Sequence, residues 1–272
     1  MKVAGKHVVI TGGSRGIGEA MARECAARGA RVTVVARSEE SLRRVAAEIN
    51  GNAVVADLTD DHTVDTLIDN IERQYGPIDV LINNAGLETN TPFAVEDWRE
   101  IRAVSRLNLE TVMLLTRHVL PGMIERGAGH LVFVSSLAGT AGFPGMSAYC
   151  GTKAGIFNFA ASLRRELKST DVNITVLSPG PVDTRMWDAV ESSPPSVMRV
   201  VRRFQKLQLI PKADVGDIAR RTISAVEAKR PHVRDPRRLS INFWLNAAPT
   251  RISNLAALGI KFDPLDRGTR HN

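Results

Sequence analysis

Tyr149 and Lys153 stand four residues apart in a stretch, Ser147 to Ser169, whose pattern predicts a helix, so both side chains project from one face. A phenol ionises near ~10 and is a poor proton donor and acceptor at neutral pH, whereas an adjacent ammonium favours the phenolate. By itself a Y-x-x-x-K pair is equally a surface i,i+4 contact. Ser136 lies thirteen residues upstream of Tyr149, just past an apolar run, His130 to Val134, that reads as a strand. A hydroxyl at that place faces the crevice beyond the strand ends. Asn108, inside the helical segment Val95 to Arg126, reads alone as a tolerated polar residue. The chemistry open to such a set is proton transfer to or from a bound group.

The element that would bring a reactant to these residues is at the other end of the chain. His7 to Thr11 is a short β-branched run that breaks into Thr11-Gly12-x-x-x-Gly16-x-Gly18 and continues as a helical pattern through Ile17, Met21 and Cys25. Glycines let the backbone turn tightly, and the free amides and dipole of the new helix suit a pyrophosphate. The spacing differs from G-x-G-x-x-G, and taken alone it fits an ordinary strand-to-helix turn. Further strands are predicted at Arg31 to Ala36, Ala53 to Ala56, Asp79 to Asn83, Asn173 to Leu177 and near Pro231 to Val233. Helices are predicted between them, one capped by Ser38, one over Thr63 to Tyr75, and one over Asp214 to Ala228. Near-continuous apolar strands alternating with helices imply a single-domain α/β fold, a doubly wound, mostly parallel sheet covered on both faces.

Together these residues resemble the short-chain dehydrogenase/reductase family over roughly residues 5–185. The glycine turn, Asp57, Asn83-Asn84-Ala85-Gly86, Asn108, Ser136, Tyr149-x-x-x-Lys153 and Pro179-Gly180 fall in the family's order at the family's elements. The resemblance implies a Rossmann fold, with Tyr149 as general acid/base and Ser136 polarising a substrate carbonyl; Ser135 is the competing serine. It also implies that Lys153 grips the nicotinamide ribose while lowering the tyrosine pKa, and that Asn108 opens its helix to a relay water. Cofactor contacts are implied for Gly12, Ser14, Arg15, Gly16, Ile17 and Gly18. The same holds for Asp57 and Leu58 beside the adenine, Asn84, Ala85 and Gly86 beside the adenosine, and Pro179, Gly180, Val182 and Thr184 around the nicotinamide. A homodimer or homotetramer follows by the same resemblance, with Gly151, Ala154, Gly155, Ala160 and Ala161 allowing close helix approach or packing on the sheet. Where an NAD enzyme carries a carboxylate after its second strand, this chain reads Ala36-Arg37, with Arg15 in the turn. Two guanidiniums suit a ribose 2′-phosphate, so NADP(H) is expected.

The whole chain of 272 residues is expected to form that one domain, with a substrate lid at 184–211 carrying a helix over Val197 to Leu209. An amphipathic extension is expected at 236–272, with helices between Arg238 and Ile260 broken at Pro249. Lid residues such as Met186, Trp187, Val197, Val200 and Phe204 suggest a lipophilic carbonyl or alcohol substrate, and they equally suit packing on the core. Arg199 to Ser240 holds 12 Lys/Arg against 4 Asp/Glu, more than the net +7 of the chain. That excess lacks the aromatic stacking of a nucleic-acid binder, so no nucleic acid is expected. It leaves peripheral contact with an anionic membrane open. Two cysteines, Cys25 and Cys150, and no secretory signal point to a reducing, cytoplasmic setting, both thiols reading as packing residues. Six histidines without ligand spacing predict no metal site. The alternative to an NADP(H)-dependent oxidoreductase is an NADP(H)-binding scaffold or sensor without turnover.

Overall fold

The computed structural model describes residues 1–184, 186, 190–207 and 211–236. Strand and helix alternate from the start: β1 (His7–Thr11), α1 (Gly16–Ala27), β2 (Arg31–Ala36), α2 (Glu39–Glu48), β3 (Asn52–Val55), α3 (Asp61–Tyr75) and β4 (Val80–Asn83). A 3-10 turn at Phe93–Val95 leads into α4 (Trp98–Ser105), a π turn (Arg106–Glu110) and α5 (Thr111–Glu125). The chain closes through β5 (Gly129–Val134), α6 (Ser147–Glu166), β6 (Val172–Ser178), α7 (Pro195–Lys206), α8 (Val215–Glu227) and β7 (His232–Arg234).

The seven strands form one parallel sheet in the order β3-β2-β1-β4-β5-β6-β7. The chain runs outward from β1 to β3, then returns to β4 on the other side of β1. The loops after β1 and β4 therefore diverge and open a crevice at the carboxyl ends of the strands. The apolar strand runs divide with period two between the faces. Val9, Leu81, Leu131 and Phe133 pack under α3, α5 and α6, while Val8, Ile10, Val80, Ile82, Val132 and Val134 pack under α1, α2 and α8. A smaller cluster joins Leu137, beside Ser136, to Val190 and to Val197, Val200, Val201 and Phe204 of α7.

Several details depart from expectation. The segment from Val95 to Arg126 is two helices joined by a π turn, starting at Trp98 because Asp97 caps the Arg99 amide. Ser38 holds the N-cap position of α2 but caps no amide; its hydroxyl accepts from Ser41 instead. The lid helix begins earlier, at Pro195, a residue preorganised for a first helical turn. Of the small residues considered for helix pairing, Ala160 is fully buried and Gly155 abuts Leu109, so both pack within the chain, whereas Gly151 faces open space. Trp187, Leu209 and the extension beyond Pro236 lie outside the described residues.

Candidate active site

Thr11, at the end of β1, ties the two diverging loops together. Its hydroxyl accepts the backbone N–H groups of Asn84 and Ala85, each at 3.0 Å. Asn84 returns the contact, its side-chain amide donating to the carbonyls of Thr11 (2.9 Å) and Gly12 (3.2 Å). That amide is thus committed to shaping the turn rather than to a ligand. A Cβ on Gly18 would lie 2.2 Å from the Gly12 carbonyl oxygen, and one on Gly12, where φ is +66°, 2.9 Å from Ala85 Cα. Only glycine permits these approaches. The first turn of α1 has no side-chain cap, so its amides are free to bind an anion. Ser14 is buried and Ile17 half-buried around the turn, Thr184 reaches across it toward Gly16, and Arg15 is exposed. The site thus fits a dinucleotide's pyrophosphate.

At the far edge of the turn Arg37 is exposed, its guanidinium 3.8 Å from the carboxylate of Asp57. Hydrogen bonds from Thr59 hold the Asp57 carboxyl below its usual range against the opposing effect of burial. Leu58 is buried and its carbonyl accepts the Thr111 hydroxyl at 2.7 Å. Val182 is buried and bridges to Ala213, and Gly180 lies close against Asp235 and Pro236.

The proton-transfer group assembles beyond β5. Ser135 and Ser136 have opposite orientations because successive extended residues face opposite ways. The Ser135 hydroxyl donates to the Lys153 carbonyl at 2.8 Å and fastens the strand end to α6. The Ser136 hydroxyl acts on the phenol of Tyr149, easing its ionisation; it accepts the Ala138 amide at 3.1 Å and donates to the Pro179 carbonyl at 3.5 Å. Lys153 Nζ donates to the Val134 carbonyl at 2.9 Å and lies 5.7 Å from the centre of the Tyr149 ring. Asn108, in the π turn, clamps Leu87: its oxygen accepts the Leu87 N–H and its amide donates to the Leu87 carbonyl, both at 2.8 Å. A Cβ on Gly86 would stand 3.1 Å from Asn108 Oδ1 and 3.5 Å from Lys153 Nζ, so all three meet at one point.

Burial dominates the electrostatics. It pushes the Tyr149 phenol up, with the Ser136 hydrogen bond pulling the other way, and drives Lys153 down to about 8. Burial of both groups thus works against the charged form of each in the protein alone. Cys25 and Cys150 are buried, and burial raises both thiols, Cys25 to about 12, as befits packing residues. Among the described residues no His/Cys/Asp/Glu cluster could hold a metal.

Residues 6–194 match the family model for short chain dehydrogenase. The chain belongs to the short-chain dehydrogenase family. It is an oxidoreductase of that family with the family's fold, and its substrates are small molecules. Over 196 residues it is 40% identical to the ketoacyl reductase HetN of Nostoc sp., covering 68% of each chain. It is 33% identical over 195 residues to the 3-oxoacyl-acyl-carrier-protein reductase FabG of Escherichia coli, covering 70% of this chain and 79% of that one. A metagenomic short-chain oxidoreductase solved in complex with NADP is 34% identical, covers 66% of this chain and 84% of its own, and superposes with a TM-score of 0.63. A relative from Burkholderia phymatum solved with NAD covers 99% of both chains at a TM-score of 0.80; at 22% identity it bears on the fold alone.

In this short-chain dehydrogenase the fold brings together Asn108, Ser136, Tyr149, Lys153 and Gly86 at one end of the sheet, and Gly12, Ser14, Arg15, Gly16, Ile17, Gly18 and Thr184 around the turn. Two contributors escaped the sequence reading. Thr152 receives the Asn108 amide at 3.2 Å while donating to the Tyr149 carbonyl at 2.8 Å. Glu88, beside the clamped Leu87, is largely buried, and burial raises its carboxyl to about 7. The loop position after Gly86 was the one available signal for Glu88.

Proposed function

We propose that the protein is an NADP(H)-dependent oxidoreductase that interconverts a carbonyl and an alcohol on a lipophilic substrate, with 3-oxoacyl thioesters the first class to test. The convergence of Ser136, Tyr149, Lys153 and Asn108 at one end of the sheet, around Gly86 and Thr152, is the observation that carries this reading. The glycine turn and α1 would hold the pyrophosphate, Arg15 and Arg37 the 2′-phosphate, and Lys153 the nicotinamide ribose; the bound dinucleotide supplies or accepts the hydride. Ser136 and Tyr149 present two hydroxyls to one carbonyl oxygen, Ser136 orienting it and Tyr149 transferring the proton. Asn108 keeps the loop after β4 in place through Leu87. The single catalytic domain, with a lid over 184–211 and an extension over 236–272, encloses the substrate through α7, whose apolar face rests on Leu137 and Phe143.

Absence of a carboxylate at the end of β2 and the presence of Arg15 and Arg37 support NADP(H), as do the NADP-bound relative and the kinship to reductases of oxoacyl groups. Steady-state kinetics with both dinucleotides tests this: the expected Michaelis constant for NADP(H) is at least ~10-fold below that for NAD(H). A constant for NAD(H) equal to or lower than that for NADP(H) would overturn it.

A further inference from the structure

Between Ser136 and Tyr149 the chain makes a turn to which the scheme above gives no duty. Pro144 and Gly145 occupy its two central places, and the Met146 N–H closes it by donating to the Phe143 carbonyl at 3.1 Å. With proline first and glycine second at φ +83°, it is a type II turn. The Met146 carbonyl then accepts the Cys150 N–H at 2.8 Å, so the turn runs straight into α6, the helix that carries Tyr149. The φ alone calls for glycine or asparagine at residue 145. A second constraint is separate from the turn. A Cβ on Gly145 would lie 2.3 Å from Cγ2 of Val197, 3.3 Å from its Cγ1 and 3.4 Å from its Cβ. Val197 stands in the first turn of α7 and is fully enclosed. Any side chain at 145 would therefore push a carbon into α7 where the packing leaves no room.

The neighbours of the turn join the lid helix to the site. Phe143 packs against the cluster of Leu137, Val197, Val200 and Phe204 on one side, and against that of Ala138, Tyr149 and Cys150 on the other, where Met146 accompanies it. Resting on the reading of α7 as the cover of a substrate site served by Tyr149, we propose that Gly145 is a positioning residue whose missing side chain is the socket in which Val197 seats α7. Seated there, α7 closes over the catalytic segment four residues before Tyr149 and holds the substrate against the phenol. With bulk at residue 145 the helix stands off, and the substrate is held less well. The cost falls on KM for the substrate, because the proton-transfer groups themselves stay in place.

Gly145→Asn tests the socket, since asparagine accepts the φ of the turn and still brings a Cβ against Val197. The expected result is a several-fold rise in KM for a long-chain 3-oxoacyl thioester, with kcat and NADPH affinity within about two-fold of the parent. Trypsin reports the same seat without turnover. Arg202 and Arg203 of α7 are exposed, and cleavage beside them is expected to be faster in Gly145→Asn. Val197→Ala removes both Cγ atoms and leaves nothing nearer than 3.4 Å to a Cβ at residue 145. In the Val197→Ala background, Gly145→Asn is therefore expected to add no further change in KM or cleavage. Equal effects of Gly145→Asn in both backgrounds would assign the cost to the turn itself and overturn the proposal, as would parental KM and cleavage in Gly145→Asn. Should Gly145→Asn fail to fold, Val197→Ala alone carries the test: the seat is lost from the helix side, so KM and cleavage in α7 rise, and parental values overturn the proposal. Failure of the functional reading shows separately, as activity that persists in Tyr149→Phe.

Discussion

Ser135 and Ser136 differ in duty because β5 ends at their peptide. Ser135 still donates its N–H to Leu177 across the sheet at 2.8 Å and spends its hydroxyl on Lys153's carbonyl; Ser136 is the first residue free to face Tyr149. Ser136→Ala is therefore expected to lower kcat/KM about 100-fold or more with NADPH affinity intact. Ser135→Ala should keep most of the activity and cost about 1 kcal/mol in urea unfolding. The reverse ranking would exchange their roles. Spacing alone located Ser136, Tyr149 and Lys153, since each occupies a definite place on a strand end or a helix face. Glu88 bears no such mark, because a glutamate in a loop reads as solvated until the fold shows its oxygen enclosed. Nor can a sequence weigh burial against charge, which is why the shifts of Tyr149 and Lys153 became legible only in three dimensions.

At the scale of elements, α7 shows what patterning conveys. Arg199, Arg202, Arg203 and Lys206 recur at helical spacing opposite Val197, Val200, Val201 and Phe204, so an amphipathic helix was readable. Its seat was not. Phe204 meets Phe143 with ring centres 5.5 Å apart, and Leu137 joins the same cluster, so the helix rests on the loop between Ser136 and Tyr149. Phe204→Ala is expected to loosen this cover, raising KM for long-chain oxoacyl substrates several-fold while leaving NADPH affinity unchanged. Equal effects on both constants would mean that α7 supports the fold rather than the substrate. The π turn at Asn108 escaped the periodic reading because one extra residue in one turn barely disturbs an apolar pattern over the 32 positions from Val95 to Arg126.

For the whole molecule, the alternation of strands and helices was largely legible, because the central strands are apolar runs and most boundaries carry a glycine, proline or cap; the division of Val95 to Arg126 into two helices was not. The polar residues beneath the sheet were less so. His130 in β5 and His7 in β1 are fully buried and bonded to Thr175 and Thr33 across neighbouring strands. Burial lowers both, His130 to about 3, from the usual 6.5. Between those two values the unfolded chain holds the extra proton, so stability falls as pH drops below 6.5 and stops falling near 3. By pH 5 the loss from His130 alone is about 2 kcal/mol. Thermal unfolding should show this decline from pH 7 to 5, and His130→Gln should flatten it; an unchanged slope would remove His130 as the cause. Sheet, glycine turn and lid serve one claim, that Tyr149 moves the proton at a carbonyl oxygen beside a bound dinucleotide. Tyr149→Phe tests it most directly, with turnover on an active oxoacyl substrate and NADPH affinity measured on the same preparation. The expected result is a loss of at least ~100-fold in turnover with affinity within about two-fold of the parent. Near-parental turnover in that variant would contradict it.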